Sequence, residues 1–276
     1  MIGPVLKYPG SKWRLAKWII AHMPSHEIYL EPFFGSGAVF FRKLRARIET
    51  INDVSGDVVN LFRVVRERPE ELARVVALTP WARDEYYQAY EPTEDPLEQA
   101  RRFLVRCWQG QGAKTASRSG WKVVESGVCG KSFSREWQAI VQRIGVAAKR
   151  LAHAQIENLP AAEIIPRYNR PNTLIYADPP YVMGSRTGGR YYEHEMTDEE
   201  HLEVLRLLKA HLGPVLISSY PSELYERELE GWRMETTSIV QWHQQRQEML
   251  WLNSIAARTV PLPMSLLETP GEGELT

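Results

Sequence analysis

Residues 172–181 read Asn-Thr-Leu-Ile-Tyr-Ala-Asp-Pro-Pro-Tyr, an apolar run that stops at an acid, two prolines and a phenol. The Asp178 carboxylate and the Pro179 carbonyl are hydrogen-bond acceptors, and neither Pro179 nor Pro180 carries an amide hydrogen to compete with them. Tyr181 adds a flat aromatic face. Such a set suits a planar base whose exocyclic amino group has two hydrogens to give. Accepting both draws the nitrogen towards tetrahedral geometry and frees its lone pair from the ring, as attack on a methyl donor requires. An N-capping aspartate in a turn would account for Asp-Pro alone. It does not account for four such residues behind a buried strand.

The elements around this motif must place it where a ligand can reach. Thr173 to Ala177 read as a short buried strand, and consecutive prolines forbid its continuation. A residue before proline is held extended, so Asp178 and Pro179 should lie across the carboxyl end of that strand, where open α/β sheets bind ligands. Upstream, Glu27-Ile28-Tyr29-Leu30 reads as another strand. It runs into the turn Glu31-Pro32-Phe33-Phe34-Gly35-Ser36-Gly37 and a helix expected from Ala38 to about Leu44. Gly35 and Gly37 let a backbone pass close beneath a ligand, as in the first turn of a Rossmann-like sheet. The Gly-Lys-Ser/Thr ending of a phosphate loop is missing, as is the third glycine of the dinucleotide fingerprint. Thr50-Ile51-Asn52-Asp53 supplies an acid at the end of a second strand, where a carboxylate can take both hydroxyls of a ribose. Asp53 would serve equally to cap the following helix, predicted as one stretch from Val54 to Leu78. The chain opens with Leu6-Lys7-Tyr8-Pro9-Gly10-Ser11-Lys12, a turn flanked by lysines, before a helix predicted from Trp13 to about Met23.

Taken in order, these segments resemble the Dam-type, alpha-group, adenine-specific DNA methyltransferases, whose hallmark is Asp-Pro-Pro-Tyr. The turn at Phe34, Gly35 and Gly37 is similar to that family's S-adenosylmethionine (SAM) turn. The opening segment is similar to its Lys-aromatic-x-Gly-Gly-Lys start, with Tyr8 where tryptophan is common and Ser11 where the second glycine is common. The resemblance implies a Rossmann-like SAM-dependent methyltransferase sheet with an inserted, mainly helical DNA-recognition domain. It implies SAM contacts from Tyr8, Lys12, Phe34, Gly35, Gly37, Asp53 and Asp178, and transfer to the N6 amino group of a flipped-out adenine at Asp178, Pro179, Pro180 and Tyr181. The amino group of cytosine (N4) presents the same two hydrogens, and a catalytically silent DNA-binding regulator could keep the same fold. Asp before Pro-Pro-Tyr favours adenine by resemblance, and a pure binder has no use for the motif beside a cofactor turn. A restriction-modification system, a phage or a regulatory circuit are all settings open to such an enzyme.

The formal net charge is zero, but it is segregated: +5 over residues 1–50, −6 over 51–100, +9 over 101–150 and −8 over 151–276. The basic block is interleaved with Trp108, Trp121, Phe133 and Trp137, the mixture a surface needs to hold phosphates and touch bases. Residues from about 80 to 165 also break the alternating strand and helix rhythm. The expected division is therefore a catalytic domain of 1–78 and 166–260, an inserted recognition domain of 79–165 and a flexible tail of 261–276. Within the insertion a basic helix from Leu97 to Trp108 leads to a loop of residues 109–120, then Trp121 to Val124 and Val128 to Phe133 as a possible ribbon. Double-stranded DNA is the expected partner. Gln109 and Gln111 could address adenine, Arg118 and Lys122 guanine, while Lys114, Lys131 and Arg135 add charge. Arg186 and Arg190, in the glycine-rich stretch after Tyr181, would hold the DNA backbone or close over the base; an exposed connection is the alternative. Thr197 and Glu200 form a capping box for a helix with a stripe of Leu202, Leu205, Leu208 and Leu212. Then come a strand at 214–220 and two edge strands, Glu235 to Val240 and Glu248 to Asn253. With two cysteines lacking metal spacing and no membrane-length apolar run, the reading is a cytoplasmic, metal-free monomer.

Overall fold

The computed structural model describes residues 3–113, 115, 117–123, 133–182, 191–241 and 244–259. The 261–276 tail, Lys114, Lys131, Arg186 and Arg190 lie outside them. Seven strands form one sheet: β1 (Ile28–Glu31), β2 (Ile48–Asn52), β3 (Ala154–Glu157), β4 (Thr173–Ala177), β5 (Val215–Ser219), β6 (Arg233–Gln241) and β7 (Gln244–Leu252). Their spatial order is β3-β2-β1-β4-β5-β7-β6. The first five are parallel and β7 runs antiparallel to β5 and β6. This is a Rossmann-like sheet, and β1, β2 and β4 sit together at its centre with their carboxyl ends on one edge. Their side chains are largely buried on both faces; β4 is accordingly an apolar run, while β2 buries the polar Glu49, Thr50 and Asn52 with partners. The sheet's edges are β3 and β6; β7 pairs on both sides, so of the two strands expected at an edge only β6 is one.

The helices are α1 (Ala16–Ala21), α2 (Gly56–Glu67), α3 (Pro69–Leu78), α4 (Arg83–Gln88), α5 (Pro96–Gln109), α6 (Phe133–Leu151), α7 (Ala161–Arg167), α8 (Asp198–Lys209), α9 (Glu223–Glu228) and α10 (Ser254–Thr259). The single helix expected over 54–78 is two. Pro69 excludes helical backbone at Arg68, which adopts φ −134° and ψ 46°, and then serves as the first residue of α3. No helix forms over 38–44 either. There Phe41 and Lys43 close turns on Gly37 and Val39, and Phe40 and Phe41 both turn inward to pack against each other and Phe34. The capping box at Thr197 and Glu200 is present, but Leu202 and Leu212 are exposed and the buried stripe of α8 is His201, Val204, Leu205 and Leu208. No helix among the described residues is long and apolar enough to cross a membrane.

The 79–165 stretch is tied into the same body. It contributes β3, which pairs with β2, and its helices α5 and α6 pack on α2 and α3 in one continuous core. Trp137 of α6 anchors this contact: it is buried, and its indole N–H lies 3.1 Å from both the Val76 and Thr79 carbonyl oxygens at the end of α3. Trp137→Ala is expected to cost about 3–5 kcal/mol, since it opens a cavity and strands those carbonyls. Urea unfolding monitored by circular dichroism measures it.

Candidate active site

The carboxyl ends of β1, β2 and β4 open onto a cleft of about 430 Å³. Its walls include Tyr8, Lys12, Phe34, Gly35, Asp53, Asp178 and Pro180, so the opening segment, the glycine turn, the acid after β2 and the acceptor motif meet in one place. Gly37 does not line the cleft. It sits behind the turn at φ +66°, where a Cβ would stand 2.4 Å from Phe34 Cζ, and so lets that ring face the ligand side. Asp53 is buried, and its carboxylate accepts from the Gly35 amide at 2.8 Å and the Ser55 amide at 2.9 Å. It thus pins the glycine turn to the bend that leads into α2, whose N-cap is Ser55 rather than Asp53. A carboxylate has about four lone-pair sites, so two remain for ribose hydroxyls. Burial lifts its pKa to about 6 against the pull of those two amides.

Asp178 follows β4 at the centre of the same edge. Burial raises its pKa to about 6, Lys12 opposes the rise and Glu248 adds to it. The Lys12 ammonium is 3.1 Å from Asp178 Oδ1, an ionic contact rather than a well-directed hydrogen bond, and donates to the Gly10 carbonyl at 2.8 Å. Burial alone would weaken this ammonium, yet the carboxylates of Asp178 and Glu248 hold its pKa above the usual lysine value. The same ammonium lies 4.6 Å from the centre of the Tyr181 ring. Tyr181 is buried, does not line the cleft, meets Tyr220 edge to face at 4.3 Å and donates its hydroxyl to Glu248 Oε2 at 2.8 Å. The face assigned to a base is therefore occupied here by Lys12, which has to shift before a base can stack. Pro179 is buried behind Pro180.

Sequence reasoning missed Glu248 and the strap over the cleft formed by Tyr192, Glu193, His194, Glu195 and Met196. The signal for Glu248 was available, a charge opening the otherwise apolar run Met249-Leu250-Trp251-Leu252. The strap offered none, since its hold is made by the Glu195 carboxylate on the Tyr191 and Tyr192 amides and by Thr115. Of the residues expected to touch DNA, Gln109 is fully buried, donating to the Pro80 carbonyl and accepting from the Trp121 indole, and cannot reach a base. Lys122 is half-buried and donates to the Trp108 carbonyl. Burial and Lys7 lower its pKa to about 8. Gln111, Arg118 and Arg135 are exposed. Trp121 bridges to Gly110 and so closes the 109–120 loop at its base; residues 124–132 of the expected ribbon lie outside the described residues.

An acid and a proline that follow a central parallel strand and line a cleft beside a glycine turn fit an α/β transferase acting on an amine. Residues 8–247 match the model of the D12 class N6 adenine-specific DNA methyltransferases, and the chain belongs to that family. It is similar to the DNA adenine methylases of Salmonella typhi (26% identical over 241 residues) and Escherichia coli K12 (26% over 243), in each case over 79% of this chain and 81% of the relative. It is also similar to the type II methyltransferase M.MjaIII of Methanocaldococcus jannaschii, 22% identical over 264 residues, covering 85% of this chain and 90% of that one. Adenine N6 rather than cytosine N4 is thus the acceptor, and the protein is an enzyme rather than a silent regulator.

The buried pair makes a pH-dependent prediction. Lys12→Met leaves the Asp178 charge without its counter-ion, at a cost of about 3–5 kcal/mol. Removing the ammonium also raises the pKa of Asp178 further, so protonation relieves the penalty as the pH falls. Urea midpoints should therefore differ from wild type more at pH 8 than at pH 5.5.

Proposed function

We propose that the cleft binds SAM and that Asp178, Pro179, Pro180 and Tyr181 receive an adenine rotated out of duplex DNA. The observation that carries this reading is that Asp53 and Asp178, from adjacent parts of one sheet edge, line the same cleft. Its chemistry fits the cofactor: carboxylates at Asp53, Asp178, Glu193, Glu195, Glu200 and Glu203 suit a molecule with ammonium and sulfonium charges, while Phe34, Pro160 and Val204 suit its adenine ring. When bound, SAM supplies a methyl group on a positively charged sulfur. Asp53 and the Gly35 turn hold the ribose, with Tyr8, Phe34 and Lys12 bordering the site.

The chain's own groups prepare the amine. The Asp178 carboxylate and the Pro179 carbonyl accept its two hydrogens, and the carboxylate then takes the proton that nitrogen must lose. Alignment is the larger part of the rate, because no covalent adduct with the enzyme is needed. Extruding a base costs a few kcal/mol and stacking on an aromatic returns about 1–3 kcal/mol, so phosphate contacts supply the rest. The recognition insertion, through Gln111, Arg118 and Arg135, with Lys114, Lys131, Arg186 and Arg190 as further candidates, is the proposed source of those contacts and of base reading. The protein acts as a cytoplasmic monomer in this reading.

A nucleoside digest of DNA treated with enzyme and SAM should contain N6-methyladenine. Asp178→Ala should bind DNA and SAM yet transfer no methyl. Because only ionised Asp178 accepts the amine hydrogens, kcat should rise with pH through about 6 and level above it. Asp53→Ala should weaken SAM binding in calorimetry, and equal binding would exclude Asp53 from the ribose site.

A further inference from the structure

On the reading that Asp178 to Tyr181 hold the acceptor base, we infer that Glu248 is a positioning residue of that site. Through the phenol hydroxyl it fixes the Tyr181 ring, against which the Lys12 ammonium paired with Asp178 lies. The topology brings it there. A strand parallel to β4 and β5 would bring its last residues to the ligand edge; β7 runs the other way and brings its first half. Met249 pairs with Ser219 at the end of β5, so Glu248 stands just past that end, beside the exit of β4. Alternation along the strands puts Glu31, Tyr176, Ser218, Glu248 and Leu250 on one face, the face that Asp178 continues.

A buried carboxylate costs several kcal/mol unless it is compensated, and Glu248 is 4% exposed. Its compensation in hydrogen bonds is the Tyr181 hydroxyl, which donates to Oε2 at 2.8 Å. The ring so held lies 4.6 Å from the Lys12 ammonium, the ion-pair partner of Asp178, so Glu248 sets the surface against which that ammonium rests. Its charge also favours the protonated Lys12 and disfavours ionised Asp178, the group that must give up its cation to accept the adenine amine. Tyr181 is in turn pinned between Glu248, Tyr220 and Lys12. The charged and titratable groups acting on Asp178 are Lys12, Glu248 and Tyr181, with Glu31, Tyr176 and Tyr225 beyond them.

Glu248→Gln keeps the shape and an acceptor for Tyr181 but removes the charge. At pH 7.5 its kcat should fall by about tenfold or more with KM for DNA and SAM nearly unchanged, since ground-state binding is left intact. The acid limb of its kcat profile should move to lower pH, because the carboxylate that resists ionisation of Asp178 is gone. Tyr181→Phe removes the hydroxyl that favours ionised Asp178 and should move the limb to higher pH. A purely structural role predicts no such opposite movement, and wild-type kcat and limb in Glu248→Gln would overturn the proposal. Should Glu248→Gln fail to fold, an unmoved limb in Tyr181→Phe overturns it equally. Asp178→Ala, run alongside, separates the two levels. Activity in that variant defeats the assignment of the acceptor site; inactivity there with an unaffected Glu248→Gln defeats only the role of Glu248.

Discussion

A half-buried carboxylate with one buried cation beside it is the constraint on which the site depends. In the proposed reading Asp178 must be ionised to accept hydrogens from an amine, yet it leaves the sheet among apolar strands, where charge is costly. Lys12 resolves the conflict, and that fixes more than one side chain. The opening segment has to fold back across the carboxyl edge, which brings Tyr8 and Gly10 over the cleft and sets Gly35 against the Tyr8 ring. Acceptor site and cofactor wall are therefore built by the same piece of chain.

The two acids of the cleft show how local structure divides labour. Asp53 and Asp178 are raised alike by burial, but Asp53 is held by two backbone amides and Asp178 by a side-chain cation. In the proposed reading, amide donors that are part of the turn itself suit a group that grips a cofactor of constant shape. An ammonium on a four-carbon stem can withdraw, which in that reading suits a group that exchanges its partner for a substrate.

The sequence disclosed the parts whose chemistry depends on contiguous residues. Asp178-Pro179-Pro180-Tyr181 could be read because prolines dictate backbone and acids dictate hydrogen bonding without help from elsewhere. β4 and β5 were readable because burial on both faces leaves short runs rich in apolar, β-branched residues. What escaped depended on distant partners. Gln109 looks like a polar loop residue until Pro80 and Trp121 are seen to satisfy it. Glu248 looks like an edge residue until β7 is found between two neighbours. β3 is too short and mixed in composition to announce itself beside β2, and the aromatic residues after Ala38 could be turned inward only by a cluster involving Phe34 and Phe62.

The order of strands in space differs sharply from their order in the chain, and this bears on how the molecule is assembled. β1 pairs with β4, so Ile28 waits for Thr173, about 145 positions later, and β2 waits for β3 across α2 to α6. During synthesis the amino-terminal half emerges with β1 and β2 paired but both their outer edges bare. Contacts so remote in sequence carry a large loop-closure cost and slow the search for the native state. The helices α2, α3, α5 and α6 can pack early, because all of them precede β3 and β4 in the chain. That docking covers one face of the waiting strand pair while the ribosome completes the sheet, and it shields an aggregation-prone intermediate at the stage when its edges are most exposed.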